Sequence, residues 1–357
     1  MTEQHQILVG DCIDMMRTLP DQSVHTRVTS PPYFGLRDYG HDGQIGMEDT
    51  PGEFVDNLVA VFREVRRVLR DDGTLWLNLG DSYCSTAPGT KNAPQSKGSK
   101  KNPEQWANAR PKTPPGLKPK DLIGIPWRVA FALQNDGWFL RQDIIWHKPN
   151  QMPESVKDRC TKAHEYMFLL SKGPRYYFDQ DAIREPAMAS TVTRLKQDID
   201  GQTGSDRVPG KNNGPMKAVG RSRRNSFARE TKYTVGEHGQ TAQHRSGRDD
   251  FDYDETRNKR SVWKVATASY KGAHFATFPP DLIRPCVLAG APRGGMVLDP
   301  FGGAGTTALV AMQEGRKSLL CEINPGYAAM AERRIAEAWL AGAAQMDVFH
   351  DVMAAAQ

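Results

Sequence analysis

Between Gly295 and Glu322 the chain packs a short apolar run, a glycine-rich turn, a helical stretch, a second apolar run and a terminal acid into one continuous segment. That order leaves few folds open. Gly295-Met296-Val297-Leu298-Asp299 reads as a buried strand, and Ser318-Leu319-Leu320-Cys321-Glu322 as another. Thr306 to Gln313 has helical character and is closed by Gly315. Two strands joined through a helix make a parallel β-α-β unit. In the turn Asp299-Pro300-Phe301-Gly302-Gly303-Ala304-Gly305-Thr306, the glycines let the backbone approach a ligand, and the helix N-terminus offers free N–H groups. Glu322 stands 23 residues beyond Asp299, at a strand end, where a carboxylate can take both hydroxyls of a ribose. A nucleoside-containing cofactor is expected.

The charge of the turn narrows the choice. From Gly303 the residues run Gly-Ala-Gly-Thr-Thr-Ala, which a dinucleotide fingerprint tolerates, so an NAD-dependent oxidoreductase is one reading. However, Asp299 heads the loop, and a carboxylate is ill placed beside a pyrophosphate. It suits a cationic ligand carrying an amino-acid ammonium, such as S-adenosylmethionine.

Strand and helix patterns alternate through most of the chain. Gln6 to Asp11, Val24 to Thr29, Thr74 to Leu79, Asp143 to Trp146 and Tyr166 to Leu170 read as strands. Glu53 to Leu69, Asp121 to Asn135, Pro280 to Ala289 and Gly326 to Ala341 read as helices. The predicted fold class is α/β: a Rossmann-like, mostly parallel sheet with an antiparallel edge, plus an irregular basic insertion. Three regions are expected. Residues 1–182 form one half of the main domain, 183–261 a variable region, and 262–357 the cofactor-binding half.

Two segments interrupt the acidic body. Residues 85–120 and 201–248 each carry seven more basic than acidic residues, so a net charge of +5 leaves the remainder at −9. Both segments are rich in Gly, Pro, Ser and Asn. They read as arms for a polyanion, with two merely solvated loops as the plain alternative. The five cysteines are scattered without a Cys-x-x-Cys pair, which argues against disulfides and a zinc ribbon, and no metal is expected. No apolar stretch spans a bilayer and the first residues carry no secretory pattern, so a cytoplasmic protein with no membrane partner is expected.

The Val24 strand runs into Thr29-Ser30-Pro31-Pro32-Tyr33. Two prolines remove two backbone donors and stiffen the turn. A hydroxyl precedes them and an aromatic ring follows. Carbonyl and hydroxyl acceptors beside a ring suit a planar, amino-bearing base, whereas a rigid strand-ending loop explains the same residues without a ligand.

Together the two motifs resemble those of the DNA amino-methyltransferases that act on exocyclic amines of cytosine or adenine. With the Ser-Pro-Pro-Tyr turn first and the glycine loop last, the order is similar to the circularly permuted β class. Gly10-Asp11, Ile145-Trp146-His147-Lys148-Pro149-Asn150, His164-Glu165 and His274-Phe275-Ala276-Thr277-Phe278-Pro279 match further stretches of that family. The resemblance implies S-adenosylmethionine as cofactor. It implies that Asp11, with Cys12, meets the cofactor adenine and that Glu322 holds the ribose. Thr29, Asp299, Pro300, Phe301, Gly302, Gly303, Gly305 and Thr306 would surround the methionine part, with Phe275, Thr277 and Pro279 as pocket walls. Ser30, Pro31, Pro32 and Tyr33 would be catalytic: Ser30 and the Pro31 carbonyl grip the amine, and Tyr33 stacks on the flipped base.

The partner implied is double-stranded DNA, with a cognate restriction endonuclease as a possible companion and a monomer or homodimer as the working unit. Lys91, Lys97, Lys100 and Lys101 are expected on the DNA backbone, with Arg221, Arg223, Arg224, Arg245 and Arg248 on phosphate or base edges. In this family Ser before the two prolines goes with cytosine N4, and Asp or Asn with adenine N6. Cytosine N4 is therefore the first expectation and adenine N6 the second. A non-catalytic nucleic-acid-binding protein with a residual cofactor site is the reading from another class.

Overall fold

The computed structural model describes residues 4–36, 43–84, 113–190, 256–267 and 278–355, with side chains in the last helix described as far as residue 341. The chain divides into two compact units. The first comprises Met1–Ile183 and Arg260–Gln357, the second Arg184–Lys259. Within the second, the described residues form a short antiparallel pair, β6 (Glu185–Pro186) and β7 (Thr256–Arg257), braced by Arg257 on Glu185 at 3.0 Å.

The first unit is built on one eight-stranded sheet in the order β1-β10-β9-β2-β3-β5-β4-β8. Its strands are β1 (His5–Val9), β2 (Val24–Thr29), β3 (Leu69–Leu79), β4 (Phe139–His147), β5 (His164–Ser171), β8 (Val262–Lys264), β9 (Met296–Asp299) and β10 (Lys317–Glu322). Neighbours from β1 through β3 are parallel. β5 runs against both β3 and β4, and β8 then adds parallel to β4. The reversed strand, β5, thus lies between β3 and β4, and the three residues of β8 extend the sheet beyond β4.

Helices cover both faces. α1 (Cys12–Arg17), α2 (Pro51–Val68) and α3 (Ile125–Asn135) lie on one face, and α4 (Pro280–Gly290) and α5 (Thr306–Gln313) on the other. α6 (Pro325–Ala355) packs against α5 and β1. α2 begins two residues before the expected Glu53. A capping box closes its start: Thr50 Oγ1 accepts from Glu53 N at 3.2 Å while the Glu53 carboxylate accepts from Thr50 N at 3.1 Å. Its Phe54, Leu58, Phe62 and Val65 are fully buried, each worth roughly 1.5–3 kcal/mol of transfer free energy. β3 feeds both cores, Leu75 and Leu77 one way and Trp76 the other, as a strand covered on both faces must.

α3 starts at Ile125 rather than Asp121. Residues 121–123 instead bond to the backbone of Ser82 and Cys84, and Asp81 Oδ1 accepts from Gly124 N and Ile125 N at 3.0 and 3.2 Å. The cap comes from a residue 43 positions upstream, which local spacing does not reveal.

Chain direction fixes where a ligand can sit. From β9 the chain crosses through α5 to β10 on one side, and from β2 it crosses through α2 to β3 on the other. The adjacent pair β9 and β2 is therefore a topological switch point, whose carboxyl ends open a crevice. Asp299 ends β9 and Thr29 ends β2. Among the described residues, no helix is long and apolar enough to cross a membrane.

Candidate active site

A cavity of about 280 Å³ occupies that crevice. On one side it is lined by the ends of β1, β9 and β10 and the loops that follow them, including Asp11, Cys12, Pro300 to Ala304, Thr306 and Glu322. Asp11 caps α1, its Oδ1 accepting from Ile13 N at 2.9 Å and Asp14 N at 3.2 Å. Glu322 Oε2 accepts from Gly303 N at 2.7 Å and its Oε1 from Asn324 N at 2.9 Å. The glycine loop is thereby tied to the end of β10. Two of its glycines are demanded by packing. A Cβ at Gly302 would stand 2.9 Å from the Leu320 side chain, and one at Gly305 2.9 Å from Ala331 Cβ, where φ is +75° as well.

Asp299 is almost wholly buried, at 1% exposure, yet lines the cavity. Its carboxylate accepts from Thr29 Oγ1 at 2.5 Å, from Phe301 N at 3.1 Å and from Thr307 Oγ1 at 2.6 Å. Burial pushes its carboxyl above the usual range, opposed by those hydrogen bonds and by the charge of Arg27. The Thr29 bond joins the two sequence motifs directly, across 270 residues of chain. Arg27 lies fully buried nearby, its guanidinium 4.0 Å from the Phe62 ring centroid and its three nitrogens without a hydrogen-bond partner. Burial lowers its pKa to about 9.

The residues present fit S-adenosylmethionine. Asp11, Asp299 and Glu322 give this side of the cavity an acidic lining suited to a cationic ligand, and among the described residues no basic side chain lines the cavity beside them. At Gly303, where φ is +51°, an added Cβ would meet nothing closer than the Phe301 carbonyl oxygen at 3.9 Å, so the loop keeps a bare backbone with room around it.

The other side of the cavity is formed by the ends of β2, β3, β4 and β5. Ser30 and Tyr33 follow β2, Asn78 lies in β3, Trp146 and Lys148 come from the end of β4, and Glu165 begins β5. Tyr33 donates its hydroxyl proton to Glu165 Oε2 at 2.8 Å. Ser30 Oγ stands 3.5 Å from the Tyr33 hydroxyl, and Asn78 Oδ1 3.3 Å. Lys148 pairs with Glu165 Oε1, and its ammonium lies 4.3 Å from the Trp146 ring centroid. The Tyr33 ring lies against Gly80, where a Cβ would approach Cε2 to 2.5 Å.

Of the residues expected from sequence, Ser30, Pro31, Pro32, Tyr33, Asp11, Cys12, Asp299, Pro300, Phe301, Gly302, Gly303, Thr306 and Glu322 all line this cavity. Thr29 sits behind Asp299, and Gly305 forms the N-cap of α5. Pro279 is the buried N-cap of α4, and its neighbour Phe278 reaches the cavity instead. Phe275 and Thr277 lie outside the described residues, as do Lys91, Lys97, Lys100, Lys101, Arg221, Arg223, Arg224, Arg245 and Arg248. Sequence reasoning assigned no role to Asn78, Lys148, Glu165 or Tyr327. Lys148 and Glu165 stand in stretches matched to the methyltransferases, so a signal was present without a task attached.

A family model described as DNA methylase, covering N6 and N4 methyltransferases, matches residues 24–333. The chain belongs to the N6/N4 DNA methylase family. The type II methyltransferase M.Cfr9I of Citrobacter freundii is 45% identical to this methylase over 326 residues, 91% of this chain and 86% of the relative. Two solved structures share the fold. The PvuII DNA methyltransferase, described as cytosine-N4-specific, aligns at 17% identity and a TM-score of 0.56 over 95% of this chain and 92% of that one. A DNA modification methylase of Thermus thermophilus, solved with S-adenosyl-L-methionine, aligns at 20% identity and a TM-score of 0.50 over 94% and 95%. This N6/N4 DNA methylase is an S-adenosylmethionine-dependent methyltransferase acting on DNA.

Proposed function

We propose that this methylase transfers a methyl group to the exocyclic N4 of cytosine in double-stranded DNA, at a specific site, after the base has swung out of the duplex. The observation that carries the reading is the place of Ser30: in the lining of the shared cavity, one residue after Thr29, whose bond to Asp299 ties the two motifs together. A nucleobase amine is a weak nucleophile because its lone pair is conjugated into the ring. Two acceptors that hold both N–H groups restore lone-pair character, and Ser30 Oγ with the Pro31 carbonyl supply them. Tyr33 offers its ring to the base, a contact worth about 1–3 kcal/mol in stacking. A duplex base cannot reach a crevice at a sheet end, so the target must leave the stack.

S-adenosylmethionine, when bound, supplies an electrophilic methyl group on a sulfonium. The chain's part is alignment and electrostatics. Asp11 and Glu322 meet the adenosine, the Asp299 loop holds the amino-acid end, and the acidic lining favours the cationic donor. Because the Asp299 carboxylate is already engaged by two threonines and a backbone N–H, its main service is to fix the loop against β2.

Cytosine rests on Ser30, a short neutral side chain where the adenine enzymes of the resembling family carry Asp or Asn. The basic segments 85–120 and 201–248 would hold DNA, so affinity should fall steeply with salt. A cytoplasmic modification enzyme paired with a restriction endonuclease is the setting that fits the type II relatives. Nuclease digestion of DNA methylated by the purified enzyme, with mass identification of the nucleoside, tests the proposal. N4-methylcytosine supports it, and N6-methyladenine alone overturns the base assignment.

A further inference from the structure

A serine hydroxyl can donate or accept, and only one of these helps the reaction. If Ser30 donated to the target nitrogen, it would occupy the lone pair that must attack. It has to accept, and its proton therefore needs a fixed destination.

The far end of the hydrogen-bond chain decides the direction. Glu165 Oε1 is taken by the Lys148 ammonium, leaving Oε2 toward Tyr33. With the Lys148 ammonium on its other oxygen, Glu165 Oε2 accepts, so the 2.8 Å contact commits the Tyr33 proton to Glu165. The Tyr33 oxygen can then serve Ser30 only as an acceptor. Asn78 enforces the same polarity. Its Nδ2 donates to the Tyr166 carbonyl at 3.0 Å and faces Glu165 Oε2 at 3.4 Å, both acceptors, so its amide cannot turn that donor toward Tyr33. The Tyr33 ring is held from behind by Gly80, and the Lys148 ammonium by the Trp146 ring.

We propose that Glu165 is a positioning residue for methyl transfer: as terminal acceptor of the chain Ser30–Tyr33–Glu165, with Lys148 holding it in place, it draws both hydroxyl protons away from the base and presents Ser30 Oγ as an acceptor. The proposal rests on the reading of Ser30 as a grip for the amine. The chain is loose at its Ser30 end, 3.5 Å, and a bound amine closes it by pulling Ser30 Oγ into line.

The test is steady-state methyl transfer by the full-length enzyme, with equilibrium binding of S-adenosylmethionine measured alongside. E165Q places an amide donor within reach of Tyr33 and leaves Asn78 Oδ1, at 3.3 Å, as the competing acceptor for the Tyr33 proton, so the chain loses its fixed direction. The expected result is a fall in kcat of roughly 10²-fold, the scale of a misplaced reacting group, with cofactor affinity unchanged. Y33F keeps the ring for stacking and removes only the link, so kcat should fall on the same scale. E165Q/Y33F should be no slower than the slower single variant, because both break one chain. A purely structural role for Glu165 would lower cofactor binding and kcat together, and its losses would multiply with those of Y33F. Wild-type kcat in E165Q or in Y33F, or multiplied losses in the double variant, overturns the proposal. Should E165Q fail to fold, Y33F alone still decides. S30A separates the two ideas: full activity in S30A sinks the amine grip itself, whereas an inactive S30A beside a fully active E165Q sinks only the role of Glu165.

Discussion

On the cofactor side of the cavity the carboxylates are answered by backbone N–H groups and buried hydroxyls, whereas on the base side the polar groups answer mainly one another. Asp11 caps a helix, Glu322 holds Gly303 and Asn324, and Asp299 holds Thr29, Thr307 and Phe301. These acids belong to the scaffold, held by hydrogen bonds within the chain itself. Across the cavity, Ser30, Tyr33, Asn78, Glu165 and Lys148 form a side-chain network on the ends of β2, β3, β5 and β4. That half is shaped by side-chain rotamers and can be altered without unfolding the sheet. Damage on the first side should appear as lost stability and binding together, and on the second as lost rate.

Asp299→Ala should have the largest effect. It leaves the buried Thr29 hydroxyl and the Phe301 N–H without this acceptor and the Thr307 hydroxyl with only the Val28 carbonyl at 3.5 Å, and removes the negative charge that acts most strongly on the buried Arg27. A loss of about 3–5 kcal/mol is expected in denaturant unfolding, with cofactor binding failing in parallel. The pH dependence carries a further signature. Burial raises the Asp299 pKa above 3.8, so the folded chain binds that proton more tightly than the unfolded one. Its contribution to stability therefore declines as pH rises from 3.8 through the raised value, and Asp299→Ala should lose that slope. A variant with wild-type stability and no cofactor binding would break the comparison.

Ser30→Ala comes next and tests the opposite side. Removing one of two preorganised polar contacts to the reacting group should lower kcat by roughly 10²–10³-fold. The melting temperature and the affinity for S-adenosylmethionine should stay at wild-type values. Gly80→Ala is milder. The new Cβ would meet the Tyr33 ring at 2.5 Å, so the ring must shift. Overpacking of this kind costs about 1–3 kcal/mol. The rate should fall more than cofactor affinity, and equal losses in both would show that Gly80 serves the sheet rather than Tyr33.

The two halves also differed in how far they could be read from sequence. Asp299, the glycine loop and Glu322 were legible because a β-α-β unit is local: strand, turn, helix and strand follow one another within a single segment. Ser30 to Tyr33 was legible for the same reason, as a turn with its own stiffness. Asn78 gave no such signal, and Lys148 and Glu165 gave only that of standing in stretches matched to the family. They meet only because β5 inserts between β3 and β4 in reverse, a pairing decided by long-range packing. The Thr29–Asp299 bond and the Asp81 cap of α3 are non-local in the same way. Periodicity reports what a segment buries, and it does not report which distant side chain answers its polar groups.

The smallest expected effect concerns the cysteines, and it bears on both halves at once. Cys12 and Cys321 line the cavity, so a covalent route through a thiolate has to be weighed against direct transfer to the amine. Burial pushes the Cys12 thiol up to about 12, with the nearby Asp11 charge adding to it, and burial raises Cys321 as well. Both remain thiols at neutral pH, and a thiol is a poor nucleophile. Among the five, Cys160 alone is exposed. Brief alkylation of the native enzyme should therefore mark Cys160 and leave methyl transfer intact. Cys12→Ala with Cys321→Ala should cost about 1–2 kcal/mol of stability through small cavities, while kcat per folded enzyme stays within about twofold. Lost transfer in a variant that still binds S-adenosylmethionine would move the chemistry from the Ser30 side to the cofactor side, and the division of labour between the halves would have to be redrawn.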